Sequence, residues 1–404
     1  MKKLILGVIL GISCTLQAQK GCTDPQASNY NASAKTNDGS CYYKSTSATA
    51  EKLCKRISDS LTESSGLLLF NNWFWSHNDS GNPPEIMAFD SIGGQILHST
   101  FISNATNTDW EDITQDEQYV YIGNFGNNGG SRKDLNILKI RKSDLKLSQK
   151  RDTVKAEFIY FSMGDQTDFT DKFIETDYDM EAFVFAGDSL HLFSKNWNDK
   201  QSRHYVCPTD TGRFVLFPVE TLNVGGQISG ACINSEGVLA LIGYTKPYYP
   251  CFTWLMWDHN NFRFNTGNRR KIDLGNTLFP GQIEGASFRN KTLYLSNENK
   301  VAVQQLLKLQ TGRWMDVNPN NATEDTFIQR TSISFKSGFL TVNSVDITKG
   351  MLLLIFDLNG KRVFNAEFNT IETEQTERFD LSALPKGIYI VKCERVVLDK
   401  ISIE

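Results

Sequence analysis

The 404 residues exceed what one compact core usually holds and predict two or three units, one of which can be large. With 42 basic against 46 acidic side chains the net charge is −4, so no positive field exists to hold a phosphate backbone and nucleic acid is excluded as a partner. Charged residues at 22%, aromatics at 11% and 29 glycines describe a folded, β-rich chain rather than a disordered one.

The N-terminus opens with Met1-Lys2-Lys3, continues as an apolar run from Leu4 to Ile12 and reaches Leu16-Gln17-Ala18. A basic start, an apolar stretch of about ten residues and a small residue before the cut define a secretory signal over residues 1–18, with cleavage after Ala18. A lipoprotein signal through Cys14 is the competing reading, and Ile12 before Ser13 fits it poorly. No later stretch approaches the ~18 apolar residues of a transmembrane segment. The mature chain is therefore expected to be secreted or held at the cell surface, where disulfides persist. Seven cysteines remain, so at least one stays unpaired. None lies two to four residues from another, which excludes structural zinc.

Residues 19–60 read as a cysteine-bounded polar segment and linker. Gly21-Cys22-Thr23-Asp24-Pro25 through Asn29-Tyr30 to Asp38-Gly39-Ser40-Cys41 encloses a turn-rich loop that cannot build a core, and a Cys22–Cys41 bridge would hold it. The pairing of Cys54, Cys207, Cys232, Cys251 and Cys393 stays open. The loop resembles a short repeat of exported Bacteroidetes proteins with the same Cys-Thr-Asp-Pro and Asp-Gly-Ser-Cys blocks. Its Asp24, Asn29, Asn31 and Asp38 suit either calcium ligation or a cluster of Asx turns.

Residues 61–325 contain an internal repeat. Glu63-Ser-Ser-Gly-Leu-Leu, Asp109-Trp-Glu-Asp-Ile-Thr, Asp179-Met-Glu-Ala-Phe-Val, Gln227-Ile-Ser-Gly-Ala-Cys and Gln282-Ile-Glu-Gly-Ala-Ser align, each followed by a second strand ending in polar residues. Each unit has room for four strands, as in a β-propeller. Strands are also legible at Asn136–Ile140 with Ala156–Phe161, and at Arg203–Cys207 with Arg213–Pro218. The long second interval contains an acidic loop, Gly164 to Asp177. Five blades are expected, with six the alternative if that interval hides a degenerate one.

Residues two apart on a strand face the same side. With the repeated strand innermost, positions one and three face the channel, and Glu63, Asp109, Glu111, Asp179, Glu181 and Glu284 form a ring of six carboxylates. They repel one another unless some are protonated or a cation lies among them, and calcium is the cation expected. A plain water-filled polar channel is the other reading. Position four is small in every repeat but the one holding Asp112, as crowding near an axis requires.

The ends of the second strands should reach the same rim. They add His77, Asn78, Asp79, Asn124, Lys195, Asn196, Tyr244, Asn297 and Glu298, suited to a glycan, a phosphorylated small molecule or a surface protein. Candidates for catalysis are Glu111, Glu181, His77 and Lys195, although His77 suits a turn cap equally and Lys195 a solvated charge. No nucleophile elbow, Walker loop, dinucleotide fingerprint or His-Glu-x-x-His helix is present.

His77–Gly81, Asp109–Ile113, Tyr121–Asn128, Glu181-Ala182 with Ser194-Lys195, and Gln282–Gly285 resemble the blocks of a family of exported bacterial propellers. More distantly the blade pattern resembles phytase-like propellers and calcium-activated nucleotidases, which implies calcium in an acidic channel; Gln227 and Ser229 depart from a full phytase-like centre. Residues 326–404 carry alternating strands and turns: Ile355-Phe-Asp-Leu-Asn-Gly-Lys361, Leu384-Pro-Lys-Gly-Ile-Tyr-Ile-Val391 and Lys400-Ile-Ser-Ile403. These blocks resemble the sorting domain of type IX secretion cargo and predict a small β-sandwich that engages that machinery. The expected architecture is all-β, a propeller followed by a sandwich. Its function is either a ligand-binding module with a calcium-holding channel or a calcium-dependent hydrolase, most plausibly a phosphoesterase using Glu111 or Glu181 to activate water.

Overall fold

Apolar residues with a period of two on both faces mark strands covered on both sides, and such strands fill the middle of the chain. The computed structural model describes residues 19–246, 249–276, 280–300, 302–315, 331–344, 352–357, 361–367, 375–393 and 396–403. The signal peptide with Cys14, the boundary near residue 325 and the Asn359-Gly360 turn lie outside the described residues. No described helix is long and apolar enough to cross a membrane.

Five sheets radiate from an axis. The first blade comprises Ser64–Phe70, Trp73–Asn78, Glu85–Phe89 and Ile96–Ile102; the second comprises Trp110–Gln115, Tyr119–Asn124, Asn136–Arg141 and Glu157–Met163. The third contains Asp179–Ala186, Ser189–Lys195, Ser202–Pro208 and Pro218–Leu222. The fourth contains Gln227–Ile233, Leu239–Lys246, Tyr249–Trp257 and Asn268–Gly275. The fifth contains Gln282–Arg289, Thr292–Glu298 and Leu306–Gln310, and is completed by Glu51–Cys54 from the N-terminal segment. The innermost strands adjoin in sequence, and the fifth meets the first, so the ring closes on five blades.

Alternation assigns each face to one neighbour. Val120, Ile122, Leu138 and Ile140 pack towards the first blade with Trp75, Ile86 and Ile102, whereas Tyr121, Ile137 and Ile159 pack towards the third with Met180, Phe183 and Leu190. Equivalent apolar layers fill the remaining junctions. Burying both faces of every blade makes the hydrophobic term, at roughly 25 cal/mol per Å², the main force closing the ring.

Two sequence expectations are corrected by strand pairing. The segment 19–60 is not separate from the blades: besides Glu51–Cys54, Thr46–Ser47 adds in parallel to the fourth blade. Arg213 and its neighbours leave the third blade, because Gly212–Leu216 pairs in parallel with Glu157–Met163 of the second, and Pro218–Leu222 takes the expected place beside Ser202–Pro208. In the same way Arg151–Val154 caps the edge of the first blade. The long interval forms no further blade among the described residues; Gly164–Asp177 is loop.

Residues 331–344 and 375–380 form a three-stranded sheet, and 352–357, 362–367, 387–393 and 396–403 a four-stranded one. Leu340, Val342 and Phe379 from the first meet Leu353, Ile355, Tyr389 and Val391 from the second, which gives the expected small sandwich. The Cys22–Cys41 disulfide is present, and Cys54, Cys207, Cys232 and Cys251 are buried free thiols; the side chain of Cys393 lies outside the described residues.

Candidate functional site

The innermost strands are irregular at nearly the same place. In four of the five, pairing with the second strand skips Glu111, Glu181, Ser229 and Glu284, the third motif position, leaving each at a β-bulge, whereas in the first blade Ser65 is paired and the irregularity follows it. A bulge breaks the ladder locally and re-aims a side chain. Position four then meets the neighbouring blade: a methyl group on Gly230 would lie 2.7 Å from the Glu284 carbonyl, and one on Gly285 2.8 Å from the backbone of Gly66. Ser65 Oγ donates to the Glu111 carbonyl at 2.6 Å and Ser229 Oγ to that of Ile283 at 2.7 Å, tying adjacent strands.

A cavity of about 550 Å³ opens on the axis, with Glu111, Glu181, Glu284, Glu298 and Asp79 among its lining residues. The six carboxylates of the expected ring do not act alike. Asp179 is fully buried and accepts from Asn127 N at 2.7 Å and Trp197 Nε1 at 2.8 Å. Glu181 is paired with Lys195 at 2.8 Å, Glu284 accepts from Gln282 Nε2 at 2.6 Å, and Glu63 accepts from Asn82 Nδ2 at 2.6 Å. Among the described residues, no donor reaches the carboxylates of Asp109 and Glu111.

Those two converge with Asp79, one oxygen from each lying within 4.8 Å of the others. Asp79 is held there by Asn107, whose Nδ2 donates to the Asn78 and Asp79 carbonyls while its Oδ1 accepts from Trp110 N. Gly126 backs the pair, and a methyl group there would collide with Glu111 Oε1 and Asp109 Oδ2. Burial, then Asp79 and Asp179, push Asp109 up to about 7; burial, then Glu181, Asp79 and Asp109, hold Glu111 well above the carboxylate range. Burial raises Asp79 as well. Oxygens at about 2.4 Å from one calcium ion stand at most about 4.8 Å apart, so the three residues fit a hard divalent cation.

The expected rim is divided more sharply. Lys195, Tyr244, Asp79 and Glu298 line the cavity, Glu298 paired with Lys300 at 2.7 Å. Asn78 and Asn124 accept from the backbone N–H groups of Glu63 and Asp109, and Asn297 bonds its own turn, so these amides serve the fold. Asn196 is buried outside the cavity lining. His77 is a correction: it is fully buried, edge-on to Trp110 at 5.5 Å, and desolvation lowers it to about 4. A neutral imidazole out of reach of the cavity is not a catalytic acid or base for it. Burial works against the Lys195 ammonium, but Glu181, Tyr244 and Glu284 hold it well above the ordinary lysine value; its place is inside the channel rather than at a solvated surface.

Sequence reasoning did not find Phe173, Ile174, Trp197, Asn128 or Lys300 at the mouth. The first two belong to the acidic loop, which folds back on the glycine-rich block: Lys172 N donates to the Gly129 carbonyl and Ile174 N to that of Asn128, both at 2.8 Å. The signal was available in Gly129 and Gly130, where a side chain would collide with Asp171 and Thr176 of that loop.

In the N-terminal segment, Asp24 accepts from Gln26 N and the Tyr43 hydroxyl, and Asn31 and Asp38 accept from backbone N–H groups two residues on. Asn29 bridges Ser40 and Tyr42. These are the contacts of Asx turns, not a converging ligand set.

Fold and site define an all-β propeller with an acidic, cation-compatible channel, joined to a small sandwich. Residues 319–402 match the model of the secretion system C-terminal sorting domain, so the chain carries a type IX sorting tail, which implies export and engagement of that machinery. No curated protein matches the sequence. Among solved structures, the chain is similar to PorZ, a surface component of the type IX secretion system of Porphyromonas gingivalis, at 11% identity and TM-score 0.31, covering 90% of this chain and 46% of PorZ. This chain thus spans under half the length of PorZ. It is also similar to a calcium-binding regucalcin of Agrobacterium tumefaciens (12% identity, TM-score 0.33, 67% of this chain and 99% of that one). A gluconolactonase of Xanthomonas campestris gives 11% identity and TM-score 0.33, covering 74% of this chain and 93% of that one.

Proposed function

We propose that the protein is an exported ligand-binding module whose channel holds calcium at Asp79, Asp109 and Glu111. The observation that carries this reading is the convergence of three carboxylates, two without any donor among the described residues, against a glycine that leaves room for them. Calcium offsets their repulsion and supplies the partner that the protein does not. The hydrolase reading needs a free base. Its candidates are weakened, since Glu111 belongs to the cation cluster, Glu181 is bound by Lys195 and His77 is buried away from the cavity.

Calorimetric and thermal titration of the chelated protein tests the proposal. Calcium at a hundredfold excess over its Kd stabilises by about 2.7 kcal/mol and raises Tm by mass action. The Asp109→Asn, Glu111→Gln double variant abolishes that rise and melts, without metal, at or above the parent, because repulsion is relieved. A Tm indifferent to chelator and calcium in the parent overturns the reading.

A further inference from the structure

The cavity mouth carries features that a cation alone leaves unused. Gln227 lines it, is only 6% exposed, and its Oε1 has no hydrogen-bond partner. A buried acceptor left unmade is costly, and the cavity is where a donor can come from. Opposite in character are Phe173 and Ile174, 73% and 45% exposed at the same mouth. Ile174 is a β-branched residue at φ 57°, a conformation that costs energy and persists where surrounding contacts impose it. The loop therefore holds two apolar side chains in water beside an acceptor-rich wall.

Charge narrows the occupant. Both lysines at the mouth are engaged, Lys195 by Glu181 and Lys300 by Glu298, and among the described residues Asp79, Glu111 and Glu284 form no ion pair with a protein side chain. A carboxylated or phosphorylated ligand therefore finds no unpaired cationic side chain among the described residues of the mouth to clamp it. A ligand amine meets a different obstacle, because Lys195 Nζ already lies 4.9 Å from the Trp197 ring centroid and 5.7 Å from that of Tyr244, occupying the aromatic cage an amine would use. What remains is a neutral ligand with hydroxyl donors along its edge and an apolar C–H face.

We propose that the mouth of the channel binds a neutral saccharide, one sugar hydroxyl donating to Gln227 Oε1 and a pyranose face lying on Phe173. This rests on the ligand-binding reading of the channel and names its ligand class. A cavity of about 550 Å³ falls in the range of small-ligand sites.

The test is calorimetry of the calcium-loaded full chain against neutral hexasaccharides (cello-, laminari-, malto- and mannohexaose), oligogalacturonate, glucose 6-phosphate and glucosamine, with calcium-dependent melting recorded in parallel. At least one neutral oligosaccharide is expected to bind, and the uronate, phosphate and amine probes to bind at least tenfold more weakly. Phe173→Ala, an exposed change that leaves the core intact, lowers affinity about fivefold or more, and Gln227→Leu about tenfold, each without altering the calcium-dependent Tm. Preference for the uronate, the phosphate or the amine overturns the proposal, as do affinities unmoved by Phe173→Ala or no binding by any neutral probe at millimolar concentration. Such a failure with the calcium shift intact leaves the channel reading standing; loss of the calcium shift in the parent sinks that reading separately.

Discussion

Asp112 occupies the fourth motif position, where the other blades have Gly or Ala, and its carboxylate reaches across the axis. It is fully buried and accepts from Ile113 N at 2.8 Å and from Phe183 N and Ala231 N at 3.1 Å, joining the second blade to the third and fourth. Burial raises it well above the carboxylate range, and the three amide donors pull the other way. Asp112→Ala leaves buried amides unpaired at about 1–3 kcal/mol each, so thermal unfolding should fall by several degrees while calcium still binds. An unchanged Tm would show the staple to be dispensable. Asp109, raised to about 7 from 3.8, carries a pH signature. Its folded-state pKa lies above the unfolded one, so in the calcium-free protein the associated stability is present at low pH and lost as pH rises through about 7. Calcium must displace that proton below pH 7. The calcium-dependent gain in Tm should therefore grow between pH 5.5 and pH 8, and a gain constant with pH in a scanning series would contradict the assignment.

At the scale of elements, the N-terminal segment is part of the propeller's closure. Glu51–Cys54 is the outer strand of the fifth blade, so the chain's beginning completes the sheet formed near the end of the propeller and seals the ring. The disulfide loop before it rests on the fourth blade: Asn37 Nδ2 donates to Asn268 Oδ1 at 2.9 Å and Asp258 Oδ2 at 3.2 Å, and Tyr43 packs on Trp257 at 5.8 Å. Replacing Cys22 and Cys41 by Ser removes a cross-link worth about 3 kcal/mol for a loop of this size. The propeller's Tm should drop by several degrees, and an unaltered Tm would mean that the loop melts independently. Deleting residues 19–55 goes further, exposing the Leu306–Gln310 edge and the buried Leu306 and Leu307; gel filtration should then find aggregates in place of a monomer.

At the scale of the molecule, the core of the terminal sandwich is built from its own two sheets, whereas the propeller's cores lie between its blades. The sorting tail and the proposed binding channel therefore have separate cores, as units that fold independently do. A chain lacking 319–404 should fold, keep its calcium response and accumulate in the periplasm. Fractionation decides this: truncated protein at the surface or in the medium at parental levels would refute the role of the tail.

Local pattern determined a good deal. Alternation and turn residues marked strands, the repeat pointed to five blades with six left open, and two cysteines bounding a coreless loop pointed to the bridge, because each depends on neighbours close in sequence. The acidic character of the channel was also legible, since position in a strand sets which face a side chain takes. Only the tertiary structure decided which acids converge. Asp179 and Glu181 have the same motif positions as Asp109 and Glu111, yet they are satisfied by Trp197, Asn127 and Lys195, while Asp79 joins the cluster through an asparagine, Asn107, outside the repeat. The exchange of outer strands between blades, the burial of His77 and the arrival of Phe173 at the mouth were likewise invisible in the sequence, because each is set by packing and hydrogen bonds between segments tens of residues apart or more.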